Sequence, residues 1–405
     1  MIRFPLFIFL MLIYGCSPAD NAEIPDFIKE LENITVFSSN EEPPFEIKIN
    51  RELSYSNSDE LITGTTGSFD LDEKGSIYII DRQLKRIHQY DSNGKYILEF
   101  AREGSGPGEF RFPGRLSVNG DQLSVYDPAL FRVNFFSADS LKFIESFKLQ
   151  PRNKKDFKKL DGQNVSYISV ISDSLFLTGF SDPLYPDPSH QNYNLNTRTI
   201  SYYLMTRNGH IISAPVFEQP AYRALSAVVQ GQYRFTQFEF LGKTLITASE
   251  NSQLYMAQTD HFFIRVYDAH GRYLHGIYYP YNKSVFTREE AIQIETVDFE
   301  EGVTDWRVSV IRYSADEDIP ETWPALNNML VDDENRLWVS TIVSDRDVYE
   351  WWVLQDTGEL IAKFLWPRHK EIEVVKSGKI YVRETEEETG LQQVVRYGFE
   401  LISKH

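Results

Sequence analysis

Cysteine is all but absent from this chain: Cys16 is the only one in 405 residues, so no disulfide can form within it. A basic excess is absent too. Lys and Arg number 41 against 59 Asp and Glu, and the formal net charge of −18 argues against nucleic acid or anionic lipid as a main partner, since either would be repelled without a concentrated basic patch. No apolar run is long enough for a permanent membrane helix; the one within Met1–Cys16 extends over roughly ten residues. The eight histidines form no H-x-H or H-x-x-x-H pair, which removes the usual spacing of a zinc centre. No G-x-S-x-G elbow is found, and the glycine-rich Gly104–Phe110 lacks the Lys-Ser/Thr of a phosphate loop.

What the sequence holds in quantity is short β-forming runs. Phe69–Phe100 contains four, rich in Ile, Tyr and Phe and separated by E-K-G, the basic loop D-R-Q-L-K-R and D-S-N-G. That is the pattern of a four-stranded antiparallel meander, too small to bury its own faces and in need of similar neighbours. Copies of its turn, polar residue, Ile or Leu, then usually an aromatic, occur at Gly75–Ile79, Asp121–Val125, Asp173–Leu177, Ser252–Met256, Asn335–Val339 and Gly378–Val382. A hairpin follows each in step, near Asp91, Asp139, Gly209, Gly271 and Gly358, and the sixth, Val394–Leu401, is cut short by the end of the chain. Linked four-strand repeats of this length predict an all-β fold, a six-bladed β-propeller of four-stranded antiparallel blades.

The shortened sixth repeat leaves its blade without an outermost strand. The run Phe45–Asn50 can supply it and close the ring, with Ile34–Phe37 as a competitor. Strand a, nearest the axis, is expected at Phe69–Asp72, Arg115–Asn119, Tyr167–Ser172, Thr244–Glu250, Asn328–Asp332 and Glu371–Lys376. The blades then span about 68–100, 115–149, 167–217, 244–280, 328–367 and 371–401, within one domain at 45–405. Ahead of them, residues 1–16 carry one Arg, the apolar run and Ile13-Tyr14-Gly15-Cys16, the flanks of an export signal. Residues 17–44 are polar and acidic and read as a tether.

The a-to-b and c-to-d turns are short, whereas the d-to-a and b-to-c connections are long: 101–114, 151–166, 181–199, 218–243, 281–326 and 342–349. Up-and-down geometry puts both long types on one end of the ring, so one face is elaborated and the other trimmed. The longest contains a short helical insertion, with Thr287 and Glu290 as a capping box and Phe286 placed to staple against Ala291. Gly104–Phe110 carries the chain from one blade to the next, with Phe110 as a wedge between them.

Gly104–Phe110, the P-E-T-W-P run at Pro320–Pro324 before Leu337-Trp-Val, and the ending Glu388–Tyr397 form a distinctive set. With the lipobox-like Ile13–Cys16 they resemble the six-bladed β-propeller lipoproteins of Bacteroidetes and related bacteria, which are similar to NHL-repeat proteins. The resemblance covers essentially the whole chain. It implies export, lipidation of Cys16 as the mature N-terminus, and attachment to a bacterial outer membrane by that lipid alone, with no activity specified.

The elaborated face gathers arginines and aromatics: Arg82, Arg86, Arg132, Tyr185, Arg223, Trp306 and Arg346. Forked guanidinium groups and aromatic platforms suit sugars, peptides and carboxylates, so a glycan, peptide or envelope protein is the expected ligand. Asp81 and Asp127, each ending a strand b, read as caps of their b-to-c loops. No catalytic constellation stands out and no cofactor is expected. The alternative is a calcium-dependent hydrolase or lactonase, as in propellers of similar fold, with Asp72, Asn119, Glu250, Asn328 and Asp332 reaching an axial ion. A third reading is a structural component of an outer-membrane complex, which predicts a large exposed apolar patch.

Overall fold

The computed structural model describes residues 24–55, 66–172, 174–182, 198–221, 223–297, 306–385 and 390–404. Six sheets follow one another along the chain, each with four antiparallel strands in the order a-b-c-d from the axis outward. Their first strands are Thr66–Leu71, Leu116–Asn119, Asn164–Ser172, Thr244–Ala248, Leu326–Val331 and Glu371–Lys376. The long connection expected to end at Ser166 is therefore shorter, because the third strand a already begins at Asn164.

The ring closes as the truncated repeat requires. Phe45–Tyr55 pairs antiparallel with Gln392–Ser403, from Phe45 opposite Ser403 to Tyr55 opposite Val394, and becomes strand d of blade 6. Ile34–Val36 has a different place: it adds a fifth, parallel strand to the outer edge of blade 4, beside Tyr273–Tyr278. The expected tether is thus largely docked. Ile28, 1% exposed, packs on Phe263 and Tyr278, Phe37 stacks on Tyr279 at 5.1 Å, and Lys363 Nζ donates to the Ser39 carbonyl at 3.1 Å. These contacts clasp residues 24–44 along blades 4 and 5, covering the outer edge of blade 4.

Burial is organised by interfaces. Six apolar clusters each straddle one blade junction, such as Tyr78, Ile80 and Ile87 of blade 1 against Leu116, Leu123 and Val125 of blade 2. Phe110 is fully buried in that same cluster, the wedge expected of it. Since every blade shares a core with both neighbours, none can open without exposing apolar surface on two sides.

The repeated a-to-b turn has a physical cause. Asp72 Oδ1 accepts the Lys74 and Ser76 N–H groups at 2.9 and 2.8 Å, and Asp332 Oδ1 accepts those of Glu334 and Arg336 at 3.0 and 2.8 Å. Each turn then needs a left-handed residue, met by Gly75 at φ 79° and by Asn335 at φ 61°. The loop-rich face carries its own module. A hairpin, Leu225–Val229 with Gln232–Thr236, packs with two helices, Arg288–Val297 and Trp306–Tyr313, around Phe240, Phe286 and Trp323. One helix was expected in this insertion; the second lacks a capping box and was not foreseen.

Candidate functional site

An axial channel of ≈800 Å³ is lined by strand a of every blade. Each blade contributes a polar residue to it: Asp70, Ser117, Ser169, Thr247, Asn328 and Glu373. Carboxylates outnumber cations two to one, Asp70, Asp72, Glu73, Glu250, Asp332, Asp333, Glu371 and Glu373 against Arg82, Arg115, Lys376 and Arg383. The two ends differ. At the trimmed face lie the a-to-b turns, with Asp72, Asn119, Glu250 and Asp332; at the loop-rich face lie Arg82, Arg115, Glu371, Glu373 and Arg383.

The loop-rich mouth centres on Glu373 and Arg383. Glu371 and Arg383 sit opposite each other in the strand a to strand b register, which brings both acids to one guanidinium. Glu373 Oε1 lies 2.5 Å from Arg383 Nη2 and Glu371 Oε2 lies 3.7 Å from Nη1, while Nη2 also donates to the Gly67 carbonyl at 3.0 Å. Burial pushes the Glu373 carboxyl up to about 8, against the opposing pull of Arg383. Burial also raises Asp70, opposed by N–H donation from Val118 at 2.8 Å and from Leu71. Arg383 Nε is buried with no hydrogen-bond partner. Such a mouth offers a desolvated acid, a second carboxylate and a guanidinium with a spare donor, enough to fix the polar end of a small ligand.

The arginines and aromatics expected on the loop-rich face divide in two. Arg82 lines the channel mouth and is exposed. Trp306 is 40% exposed on the helical module, with the Arg234 guanidinium 5.8 Å from its ring. The others are already engaged. Arg132 is buried and donates to the Ser105, Gly106 and Glu109 carbonyls at 3.0, 2.6 and 2.7 Å, holding the glycine-rich loop in place. Arg86 pairs with Glu99, and Arg223 with Asp260 at 2.8 Å. Arg346 lies 4.4 Å over the Trp323 ring and bonds Glu290 at 3.2 Å. Tyr185 and Cys16 lie outside the described residues.

Glu290 also corrects the capping box. Thr287 Oγ1 accepts the Glu290 N–H at 3.2 Å as expected, but the Glu290 carboxylate turns to the Trp323 indole N–H, at 3.0 Å, and to Arg346. A buried indole N–H and a partly buried guanidinium outweigh one helix-terminal N–H. Asp81 and Asp127 do cap their loops: Leu84 N–H meets Asp81 at 2.8 Å, while Asp127 takes the N–H groups of Leu130, Arg111 and Phe112 at 3.1, 2.7 and 3.3 Å.

All five residues expected to reach an axial ion line the channel, but they are not gathered. Asp72 and Asp332 are taken up by their turns, Asn328 Oδ1 accepts the Met329 N–H at 2.8 Å, and Glu250 lies 3.6 Å from Lys376. Among the described residues no group of three or more His, Cys, Asp or Glu is placed to hold a metal ion. Glu373 and Arg383 were missed in the sequence. The signal was there: Glu371, Glu373 and Lys376 interrupt the apolar Ile372, Val374 and Val375 in an axial strand, where only a polar cavity tolerates them.

The model of a family described as a 6-bladed beta-propeller, DUF5128, matches residues 59–174. No curated protein matches the chain. Among solved structures, an exported protein of Bacteroides fragilis NCTC 9343 is 11% identical, with a TM-score of 0.50, over 91% of this chain and 99% of that one. A DUF4221-family member of Bacteroides vulgatus is 12% identical, with a TM-score of 0.53, over 88% and 99%. At such identities the likeness bears on the fold. With the sheet order it defines this chain as a six-bladed β-propeller.

Proposed function

We propose that this propeller is an exported, lipid-anchored protein of the bacterial cell envelope that binds a ligand through its loop-rich face. The bound group is the polar end of a peptide, a glycan or an envelope protein, and it enters the axial channel between Arg82, Arg383 and Glu373. One observation carries the reading: a ≈800 Å³ polar channel whose loop-rich mouth holds a desolvated acid beside a guanidinium with an unused donor. The apolar run before Cys16 and the similarity to an exported protein support the address. No helix among the described residues is long and apolar enough to cross a membrane.

The test is thermal unfolding of the full chain in detergent with amino acids, short peptides and oligosaccharides, for the wild type, Arg82→Ala and Arg383→Ala. A ligand at 100 times its dissociation constant adds about 2.7 kcal/mol. The expected result is a raised midpoint with one ligand class, reduced in both variants. No response to any class, or a response that survives both substitutions, would overturn the site.

A further inference from the structure

A second concavity lies away from the axis, on the rim between blades 3 and 4. It is an open groove of ≈530 Å³ whose lining includes Phe27, Arg223, His261, Arg265 and Lys283, with the acids Glu218 and Asp260. Both acids are already engaged, Glu218 by Lys159 and Asp260 by Arg223 at 2.8 Å. Arg265 and Lys283 form no salt bridge among the described residues; Arg265 lies 5.1 Å over the Phe263 ring and hydrogen-bonds the Tyr267 hydroxyl. Burial and the nearby Lys283 hold His261 below its ordinary range. In a protein of net charge −18 this lining thus carries three cations, Arg223, Arg265 and Lys283, against two acids. Phe27 sits 5.2 Å from the His261 ring and stays 43% exposed, while its neighbour Ile28 is 1% exposed. Ile28 fixes the backbone, and Phe27 is held outward by it.

We propose that this groove faces the membrane, with Phe27 in the headgroup layer and Arg265 and Lys283 against phosphates of anionic phospholipid. The proposal rests on Cys16 being the lipid anchor. From Cys16 to Ile24 the chain can reach at most about 28 Å, so the lipid enters the bilayer near the docked N-terminal segment. A ring edge and basic side chains with long apolar stems are the groups that settle at a membrane interface. Charge complementarity selects the occupant: with three cations against two acids, this lining opposes an anionic surface less than the acidic chain as a whole does.

The experiment uses the full lipidated chain in phosphatidylglycerol vesicles. Cys16 is consumed by the lipid, so Glu30→Cys, exposed beside Phe27, or, on blade 1, Asn93→Cys gives one free thiol for an environment-sensitive dye quenched by spin-labelled lipid. Strong quenching at 30 and little at 93 is expected. Arg265→Glu with Lys283→Glu should lower the docked-to-undocked ratio roughly tenfold or more, with the lipidated mass unchanged, as should neutral phosphatidylcholine vesicles. Equal quenching at both positions, or no response to charge reversal, would overturn the orientation. Cys16→Ser separates the two readings: vesicle attachment that survives it would overturn the anchor, whereas loss of attachment with equal quenching in the lipidated chain overturns the groove alone.

Discussion

The Trp338 indole N–H donates to Asp332 Oδ2 at 2.8 Å, and the same six-residue step recurs in blade 1, where the Tyr78 hydroxyl donates to Asp72 Oδ2 at 3.1 Å. The aromatic of the repeat is therefore more than an apolar filler. It ties the body of strand b to the acid that shapes the a-to-b turn. Both oxygens of each acid are consumed in this way, which is why two residues placed to meet an axial ion serve the blade instead.

Asp332→Ala would strand the indole N–H of Trp338, a fully buried side chain, and is expected to cost about 3 kcal/mol. Urea unfolding measures this, and Asp332→Asn, which keeps one acceptor, should cost less. Added calcium should not alter the difference. A wild-type midpoint that rises with calcium and loses that rise in Asp332→Ala would restore the axial metal.

Glu373 gives the stability a pH dependence of stated sign. Its folded value, about 8, lies above the ordinary value of 4.5, so the folded state binds more protons between those limits. Stability is then lost as pH rises from about 4.5 through 8. Glu373→Gln removes that loss, so the variant's melting point should gain on the wild type across this window. A gap that stays flat with pH would refute the desolvated acid.

Phe131 is held at φ 48° and is 55% exposed, in the b-to-c turn that Asp127 caps; the matching residue of blade 1 is Lys85, at φ 54°. A bulky side chain gains nothing from the left-handed region that asparagine tolerates well. Phe131→Asn should therefore stabilise the fold, by roughly 0.5 to 1 kcal/mol. If ligand binding falls in the same variant, the exposed ring is part of the loop-rich recognition surface.

The N-terminal segments should separate by role. Without residues 1–44 the ring is still closed by Phe45–Tyr55, so the chain should keep one cooperative unfolding transition and lose only the cover of blade 4's outer edge. Without residues 1–55 the Gln392–Ser403 strand is left with a bare edge, and aggregation is expected on size exclusion. Equal behaviour of the two truncations would contradict the closing role.

Much of this architecture was legible because it is local. Blades 1 and 5 carry the turn acid, the left-handed turn residue and the strand b aromatic within seven residues, and the turn followed by a polar residue and then Ile or Leu recurs in the other four, so six copies could be counted along the chain. Even the missing strand could be inferred, since a ring leaves no choice about closure. The docking of Ile34–Val36 on blade 4 was not legible, because a three-residue strand has no pattern of its own and its partner lies 242 positions away, Ile34 against Gly276.

The sequence by itself determined the number of blades, the strand order and which face bears the long loops, because backbone hydrogen bonding and two-residue alternation act between near neighbours. Only the tertiary structure decided which charged residues are spent and which remain available. Arg132, Arg346 and Asp332 find partners in the fold, while Glu373 and Arg383 meet in the channel and Arg265 and Lys283 reach the rim without a salt bridge among the described residues. Partnership of a charge depends on what the other blades bring within a few ångströms of it, and that distance is not written along the chain.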